Sequence, residues 1–219
     1  MIQINPIYID NHLIVVEKPG GILVQQDSTG DISLLDVVKL YLKDTFQKPG
    51  NVYLGLVHRL DRPASGIMVF ARTSKAASRL SEQFRTKKIK KTYWVLLQGK
   101  TPEHGILKDN IEKRGVTSFI TGKSTGKPAE LSYKRLQYSR DISLVEVDLK
   151  TGRHHQIRVQ FAHRGYSVIG DFRYGSKIKF PQKTIALHSQ SITLSHPTLQ
   201  KSITFKVAPP PSWENYLEL

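Results

Sequence analysis

The segment His58-Arg59-Leu60-Asp61-Arg62-Pro63-Ala64-Ser65-Gly66 places one carboxylate between two guanidinium groups and ends at an apolar run. Positive charge on both sides favours the ionised form of Asp61, and such a group suits a nucleophile or an electrostatic partner better than a general acid. The competing reading is a structural ion pair in a turn, because ion-pair networks perturb acids in the same way. A second segment, Thr151-Gly152-Arg153-His154-His155-Gln156-Ile157-Arg158-Val159-Gln160, opens with a glycine that permits a tight turn. Arg158 then falls early in a short helix, and its permanently charged, planar guanidinium can bind a carboxylate at two points. In the third segment, Arg85-Thr86-Lys87-Lys88-Ile89-Lys90-Lys91-Thr92-Tyr93-Trp94, five cations occur in seven residues and an aromatic pair follows.

The whole chain shares this bias, with 33 Lys and Arg against 18 Asp and Glu and a formal charge of +15 over 219 residues. A field of that sign attracts polyanions, so nucleic acid is the first partner to consider, with an anionic membrane surface or a solubility device as the bland alternatives. Lys87, Lys88, Lys90 and Lys91 then suit phosphate contacts, and the aromatic pair offers a stacking surface. A solvated helix end followed by a core strand is the other reading of the same residues. Trp94 is expected in the core, and Tyr93, on the opposite face of a strand, is expected to face a cleft. Adjacent histidines diverge on a helix and no carboxylate-supported ligand pattern surrounds His154 and His155, so solvated or RNA-facing roles fit them better than metal binding. The chain has no Cys, which excludes disulfides, thiolate nucleophiles and Cys-ligated zinc. An apolar patch confined to Leu13–Val16 is neither a signal peptide nor a membrane span, and residence in the cytoplasm is the expectation.

The elements that must position these groups follow from periodicity. A short buried strand is predicted over His12–Glu17, with Lys18-Pro19-Gly20-Gly21 as its turn and a second extended piece at Gly21–Gln25. Ser33 is the expected N-cap of an amphipathic helix that Lys48-Pro49-Gly50 stops, and Ser74 the expected cap of a second helix bearing Ala77, Leu80 and Phe84. Further strands are predicted at Gly66–Phe70, Thr92–Leu97, Leu144–Leu149, Ile185–Leu194 and Ser202–Val207. Between Leu144 and Leu149, Val145, Val147 and Leu149 face one side while Glu146 and Asp148 face the other. A short helix is predicted over His155–Arg164, closed by Gly165. Lys100–Lys127, rich in Gly, Thr, Lys and Pro, reads as a flexible excursion. The stretch from Thr121 to Lys127 lacks the spacing of a phosphate loop and reads as a solvated turn. The sum is one α+β domain over residues 1–219, a mixed and largely antiparallel sheet flanked by helices and loops.

Taken together and in this order, the segments resemble the RluA-type pseudouridine synthases over nearly the whole chain. The resemblance begins with the Val15-Val16-Glu17-Lys18-Pro19-Gly20-Gly21 run. It continues through His58–Gly66, Lys91-Thr92-Tyr93, Gly126-Lys127-Pro128-Ala129 and Thr151–Arg158, and ends with Gly170-Asp171-Phe172-Arg173-Tyr174-Gly175, Leu187-His188 and His196-Pro197. It implies isomerisation of uridine in RNA: the glycosidic bond to nitrogen breaks, the bound uracil rotates, and a carbon–carbon bond to the ribose forms. It implies Asp61 as nucleophile and Tyr93 as the residue that stacks on the base and is a candidate for proton abstraction. Arg158 becomes the partner of the aspartate, and Arg59 helps fill the space left by a flipped nucleotide. Arg62, Arg153 and His154 join Arg59 and the four lysines as expected RNA contacts. No cofactor, metal, membrane or obligatory protein partner is expected; the partner is RNA, either rRNA or tRNA or both. Gln160 stands where many relatives have His, and Glu130-Leu131 replaces the more usual pair after Gly126–Ala129, departures that bear on substrate choice. The chain opens almost at once on the catalytic region, so RNA recognition without a separate N-terminal module is expected. Two rival readings, a non-catalytic RNA-binding module and a hydrolase using Asp61 with the histidine pair, lack respectively a lost aspartate and a plausible metal-ligand set.

Overall fold

A computed structural model describes residues 4–122 and 125–216. The chain forms two compact units, Met1–Ile89 with Ser191–Val207, and Lys90–Gln190 with Ala208–Leu219.

In the first unit, β2 (Leu13–Lys18) lies antiparallel to β4 (Ser65–Ala71), with β1 (Tyr8–Ile9) on β2 and β3 (Gly55–Leu56) on β4. The register runs from Leu13 opposite Ala71 to Lys18 opposite Gly66, which sets the end of β2 against the start of β4 and hence against the segment carrying Asp61. Gly66 has φ 117, a backbone conformation open to glycine at no steric cost. Helix α1 (Leu34–Thr45) starts at Ser33 as the sequence predicts: Ser33 Oγ accepts from the Asp36 amide while the Asp36 carboxylate accepts from the Ser33 amide. Helix α2 (Ser74–Arg85) is capped by Thr73, one residue earlier than expected, because Thr73 Oγ1 accepts from the Ala76 amide. Its Ala76 and Leu80 meet Leu13, Val15, Ile67 and Val69 in an apolar cluster. Of the extended piece expected at Gly21–Gln25, only a bridge between Leu23 and Ser33 forms. The His196-Pro197 pair is a clasp: His196 Nε2 lies 2.8 Å from Asp10 Oδ2, and its Nδ1 accepts from the amides of Thr198 and Leu199.

The second unit is an antiparallel sheet in the order β5 (Lys90–Gln98), β9 (Ile142–Leu149), β8 (Lys127–Ser139), β6 (His104–Arg114), β7 (Thr117–Thr121). The flexible excursion expected over Lys100–Lys127 is instead the β6–β7 hairpin. Buried Leu107 and Ile111 alternate with exposed Ile106 and Lys108, and β6 is hydrogen-bonded on both sides, so backbone pairing orders a stretch whose composition looks loop-like. Thr121 Oγ1 donates to the Thr125 carbonyl across the glycine-rich turn, of which Lys123 and Ser124 lie outside the described residues. Strand β10 (Leu187–Ser195) has its first residues in this unit and the rest in the first, where it pairs antiparallel with β11 (Ser202–Lys206). Helix α3 (Gln156–Ala162) places Val159 on Ile111 and Ala129, and the Gly165 amide closes the chain back on Ala162. The α+β class expected from the sequence is the one observed. Among the described residues no helix is long and apolar enough to cross a membrane.

Candidate active site

Asp61 sits half-buried on the segment just before β4, and what fixes that segment is a residue that pattern reading takes only for part of a turn. Lys18, the last residue of β2, is fully buried. Its Nζ donates to the carbonyls of Ala64 at 2.7 Å, Arg62 at 3.0 Å and Pro19 at 3.0 Å. Three acceptors match the three donors of an ammonium, and two of them belong to the residues immediately after Asp61. Burial pulls the Lys18 ammonium down to about 7, while the charge of Asp61 acts to raise it and that of Arg62 to lower it. An amide of Gly21 also donates to the Arg62 carbonyl, so the Lys18-Pro19-Gly20-Gly21 turn is laced to the Asp61 segment at several points. Replacing Lys18 by Met keeps the stem and removes the donors, leaving the buried Ala64 carbonyl short of a partner at a cost of about 1–3 kcal/mol. We expect Lys18→Met to lower the melting temperature by roughly 2–12 °C; an unchanged thermal transition would show that the ammonium does not hold this segment.

The arginines expected to bracket Asp61 are used differently. Arg62 donates from Nε to the Gly21 carbonyl and from Nη2 to Asp31 at 2.7 Å, tying down the 21–31 loop, whereas Arg59 is exposed. His58 Nε2 accepts from the Val69 amide and its ring stacks on Phe84, a structural use of the first residue of the motif.

In the second unit the Thr-Gly-Arg turn is organised by Gln156, which is buried: its Oε1 accepts from Thr151 Oγ1 at 2.8 Å and from the Arg153 amide at 3.0 Å, and its Nε2 donates to the Glu130 carbonyl. Arg153 Nε donates to the Pro128 carbonyl. Lys91 lies beside this turn, 3.6 Å from where a Cβ at Gly152 would stand, and burial lowers its pKa while Asp148 acts to raise it. Of the basic cluster, therefore, Lys87, Lys88 and Lys90 are exposed and Lys91 is half-buried. The stacked rings of His154 and His155 are 3.7 Å apart, with Nδ1 of His154 at 2.9 Å from Ser118 Oγ and Nδ1 of His155 at 2.9 Å from the Tyr174 hydroxyl. Among the described residues no group of three or more His, Cys, Asp or Glu is gathered in a way that could hold a metal.

Arg158 is 4% exposed and makes a two-point contact with Asp171, itself 2% exposed: Nε to Oδ2 at 2.6 Å and Nη2 to Oδ1 at 2.9 Å. The sequence reading makes Asp61 the partner of Arg158, whereas the two-point contact described here is made with Asp171, a carboxylate that reading did not single out as a partner. Neither Asp171, Lys18 nor Gln156 stands out by residue type; the signal for all three was their place inside the family-like motifs. Trp94 packs against the buried cluster of Leu96, Leu144 and Trp213 as expected of a core residue, though it is only half-buried, and Tyr93 is more enclosed than a residue at an open cleft. Tyr93 is opposite Val147 in the β5–β9 register and is 7% exposed, while Trp94 is opposite Glu146, bonds to its carboxylate through Nε1, and is half-buried. Directly opposed residues share a face, so each aromatic meets a different cross-strand partner.

A family model described as RNA pseudouridylate synthase matches residues 12–163. The chain is 33% identical over 224 residues to the ribosomal large subunit pseudouridine synthase C of Buchnera aphidicola subsp. Acyrthosiphon pisum, covering 96% of this chain and 69% of that protein. It is 31% identical to the ribosomal large subunit pseudouridine synthase D of Pseudomonas aeruginosa, with 90% and 65% covered, so the chain spans about two thirds of these relatives. The fold matches that of human RNA pseudouridylate synthase domain containing 4 with a TM-score of 0.79 at 23% identity, over 95% of this chain and 91% of that one. With a family model over more than half its length and relatives of this kind across most of the rest, the chain belongs to the RluA-type RNA pseudouridine synthases, which are isomerases.

Proposed function

We propose that the chain converts specific uridines of structured RNA, in rRNA or tRNA or both, to pseudouridine, with Asp61 as nucleophile on a nucleotide flipped out of its stack. The observation that carries this reading is the buried Lys18 ammonium, which fastens the segment following a half-buried carboxylate through two main-chain carbonyls, those of Arg62 and Ala64. A nucleophile needs such rigid support, because small errors in placement are costly in rate. The names of the relatives, two of them large-subunit rRNA synthases, favour rRNA, and a cytoplasmic location accords with that substrate.

The chemistry asks little else of the protein. Uracil in a stacked helix cannot rotate, so the nucleotide must leave the stack at a cost of about a few kcal/mol, offset by phosphate contacts and by stacking on Tyr93. In this reading the Asp61 carboxylate bonds to C1′ as the C1′–N1 bond breaks, the freed base turns, and C5 bonds to C1′ as the bond to Asp61 breaks and the carboxylate is restored; the proton leaves C5, with Tyr93 as candidate acceptor, and N1 gains a proton. Atoms balance within the nucleotide. Arg158 serves as the charged partner of the nucleophile, and Arg59, Arg62, Arg153, His154 and the exposed lysines meet the RNA. Pseudouridine mapping of rRNA and tRNA from cells with and without the gene tests the assignment; at least one site should vanish, and identical maps would overturn it.

The lysine assignment has its own test. Lys87→Ala with Lys88→Ala should weaken RNA binding across sequences and reduce the salt dependence by about 0.7 to 0.9 log units per lost contact. Maximal turnover should change much less, because phosphate contacts position the substrate. Parallel salt lines for wild type and variant would show that these lysines only face solvent.

A further inference from the structure

We propose that Asp171 and Tyr174 are positioning residues for Arg158, holding its guanidinium at one orientation from two sides. The inference rests on the reading above that Arg158 serves the reacting centre, and it deepens that reading by naming what aims the group.

An arginine side chain has several rotatable bonds, and a helix of seven residues does not by itself fix where the guanidinium ends. Here the orientation is set by one short turn. Asp171 and Tyr174 belong to a 3-10 turn over Phe172–Tyr174, flanked by Gly170 at φ 85 and Gly175 at φ 88. A Cβ at Gly170 would fall 2.5 Å from both the Phe180 Cβ and the Thr184 carbonyl oxygen, so only glycine lets this turn sit so close to its neighbours. The amides of Tyr174 and Ser176 both donate to the Asp171 carbonyl, which stiffens the loop from within.

From this turn the Asp171 carboxylate takes the Nε and Nη2 edge of Arg158, and the two bonds together define the guanidinium plane. The Tyr174 ring lies under the same group, with the guanidinium carbon 5.0 Å from its centroid, and supports that plane from its face. The Tyr174 ring is itself anchored: its hydroxyl accepts from the Ser118 amide of β7 at 2.8 Å and lies 2.9 Å from His155 Nδ1. Ser118 Oγ in turn donates to the His154 carbonyl at 2.7 Å. The β6–β7 hairpin, the turn before α3 and the 3-10 turn are thus one hydrogen-bonded frame around Arg158.

A salt bridge that merely ties α3 to the turn would show the same distances, and the two roles differ in what they do to folded enzyme. Asp171→Asn keeps the shape and loses the charge; Tyr174→Phe keeps the ring and loses its hydroxyl contacts. The assay is single-turnover tritium release from large-subunit rRNA and tRNA transcripts labelled at uridine C5, with RNA binding and melting temperature measured on the same full-length samples. Folded Asp171→Asn should lose about 10- to 100-fold in the rate of the chemical step with RNA affinity little changed, the cost of a misplaced group. Tyr174→Phe should lose roughly 3- to 10-fold, the size of one or two hydrogen bonds. In an Arg158→Lys background, Asp171→Asn should add no further loss, because a residue that acts through Arg158 has nothing left to aim.

Wild-type rates in both folded single variants, or a fully additive loss in the double variant, overturn the positioning role. Should Asp171→Asn fail to fold, Tyr174→Phe decides alone, a wild-type rate counting against the proposal and a reduced rate at unchanged affinity for it. Wild-type turnover in Arg158→Lys itself would instead overturn the underlying assignment of Arg158, and the two failures are told apart by that variant.

Discussion

Asp61→Asn is expected to bind RNA and to make no pseudouridine, with the rate falling on the order of 10⁴-fold or more, as when other enzymes lose their nucleophile. The amide has the shape of the carboxylate without its charge, and a neutral amide is a poor nucleophile. The main-chain contacts that hold this segment do not involve the carboxylate. The Ala64 amide still donates to the Asp61 main-chain carbonyl, and the contacts that Lys18 makes go to the carbonyls of Pro19, Arg62 and Ala64. One side effect has a defined sign: Asp61 acts to raise the Lys18 pKa, so its removal lets that pKa drop further below its ordinary value of 10.5. Single-turnover assays beside RNA binding and a thermal melt read the outcome. Substantial pseudouridine formation by a folded Asp61→Asn protein would sink the nucleophile assignment.

Arg158→Lys is expected to lose roughly 10- to 100-fold in turnover although the charge is conserved, the loss following from one charged hydrogen bond of about 1.5–3 kcal/mol. A lysine cannot span Oδ1 and Oδ2 of Asp171 as Nε and Nη2 now do, and its ammonium would sit as a point charge without a plane. Because both partners are buried, a poorly matched replacement also leaves part of the Asp171 carboxylate under-satisfied. Stability should therefore fall together with rate, and the rate per folded molecule is the quantity to compare. Wild-type turnover in this variant would mean that two-point geometry at position 158 is irrelevant to the reaction.

Much of the fold is legible in the chain because its signals are local. The Ser33 cap, the apolar run of β4 and the alternation of β9 each depend on residues within a turn or two of one another, and each element forms where periodicity places it. The same holds for the motifs that carry Asp61 and Arg158, whose residue types and order are enough to name the family. The errors have a common cause as well. Helix α2 is capped by Thr73 and not by Ser74 because two adjacent hydroxyl residues compete for one cap. The β6–β7 hairpin was hidden because the composition of Lys100–Lys127 looks loop-like and the order of the hairpin comes from backbone pairing between strands, including β8 across the turn.

By itself, then, the sequence determined the fold class, the family and the positions of the chemically able residues. Partnership was decided by tertiary structure alone. The acceptors of Lys18 lie 44 and 46 residues away at Arg62 and Ala64, brought within 3.0 Å by the antiparallel register of β2 and β4. The β5–β9 register opposes Tyr93 to Val147 and Trp94 to Glu146, which gives the Trp94 indole the Glu146 carboxylate as a partner. Arg158 is held by an aspartate 13 residues further on, which a glycine-flanked turn folds back onto α3. Periodicity tells a side chain which face it occupies, but hydrogen bonds and ion pairs act over about 3 Å, and only the folded chain specifies what lies at that distance.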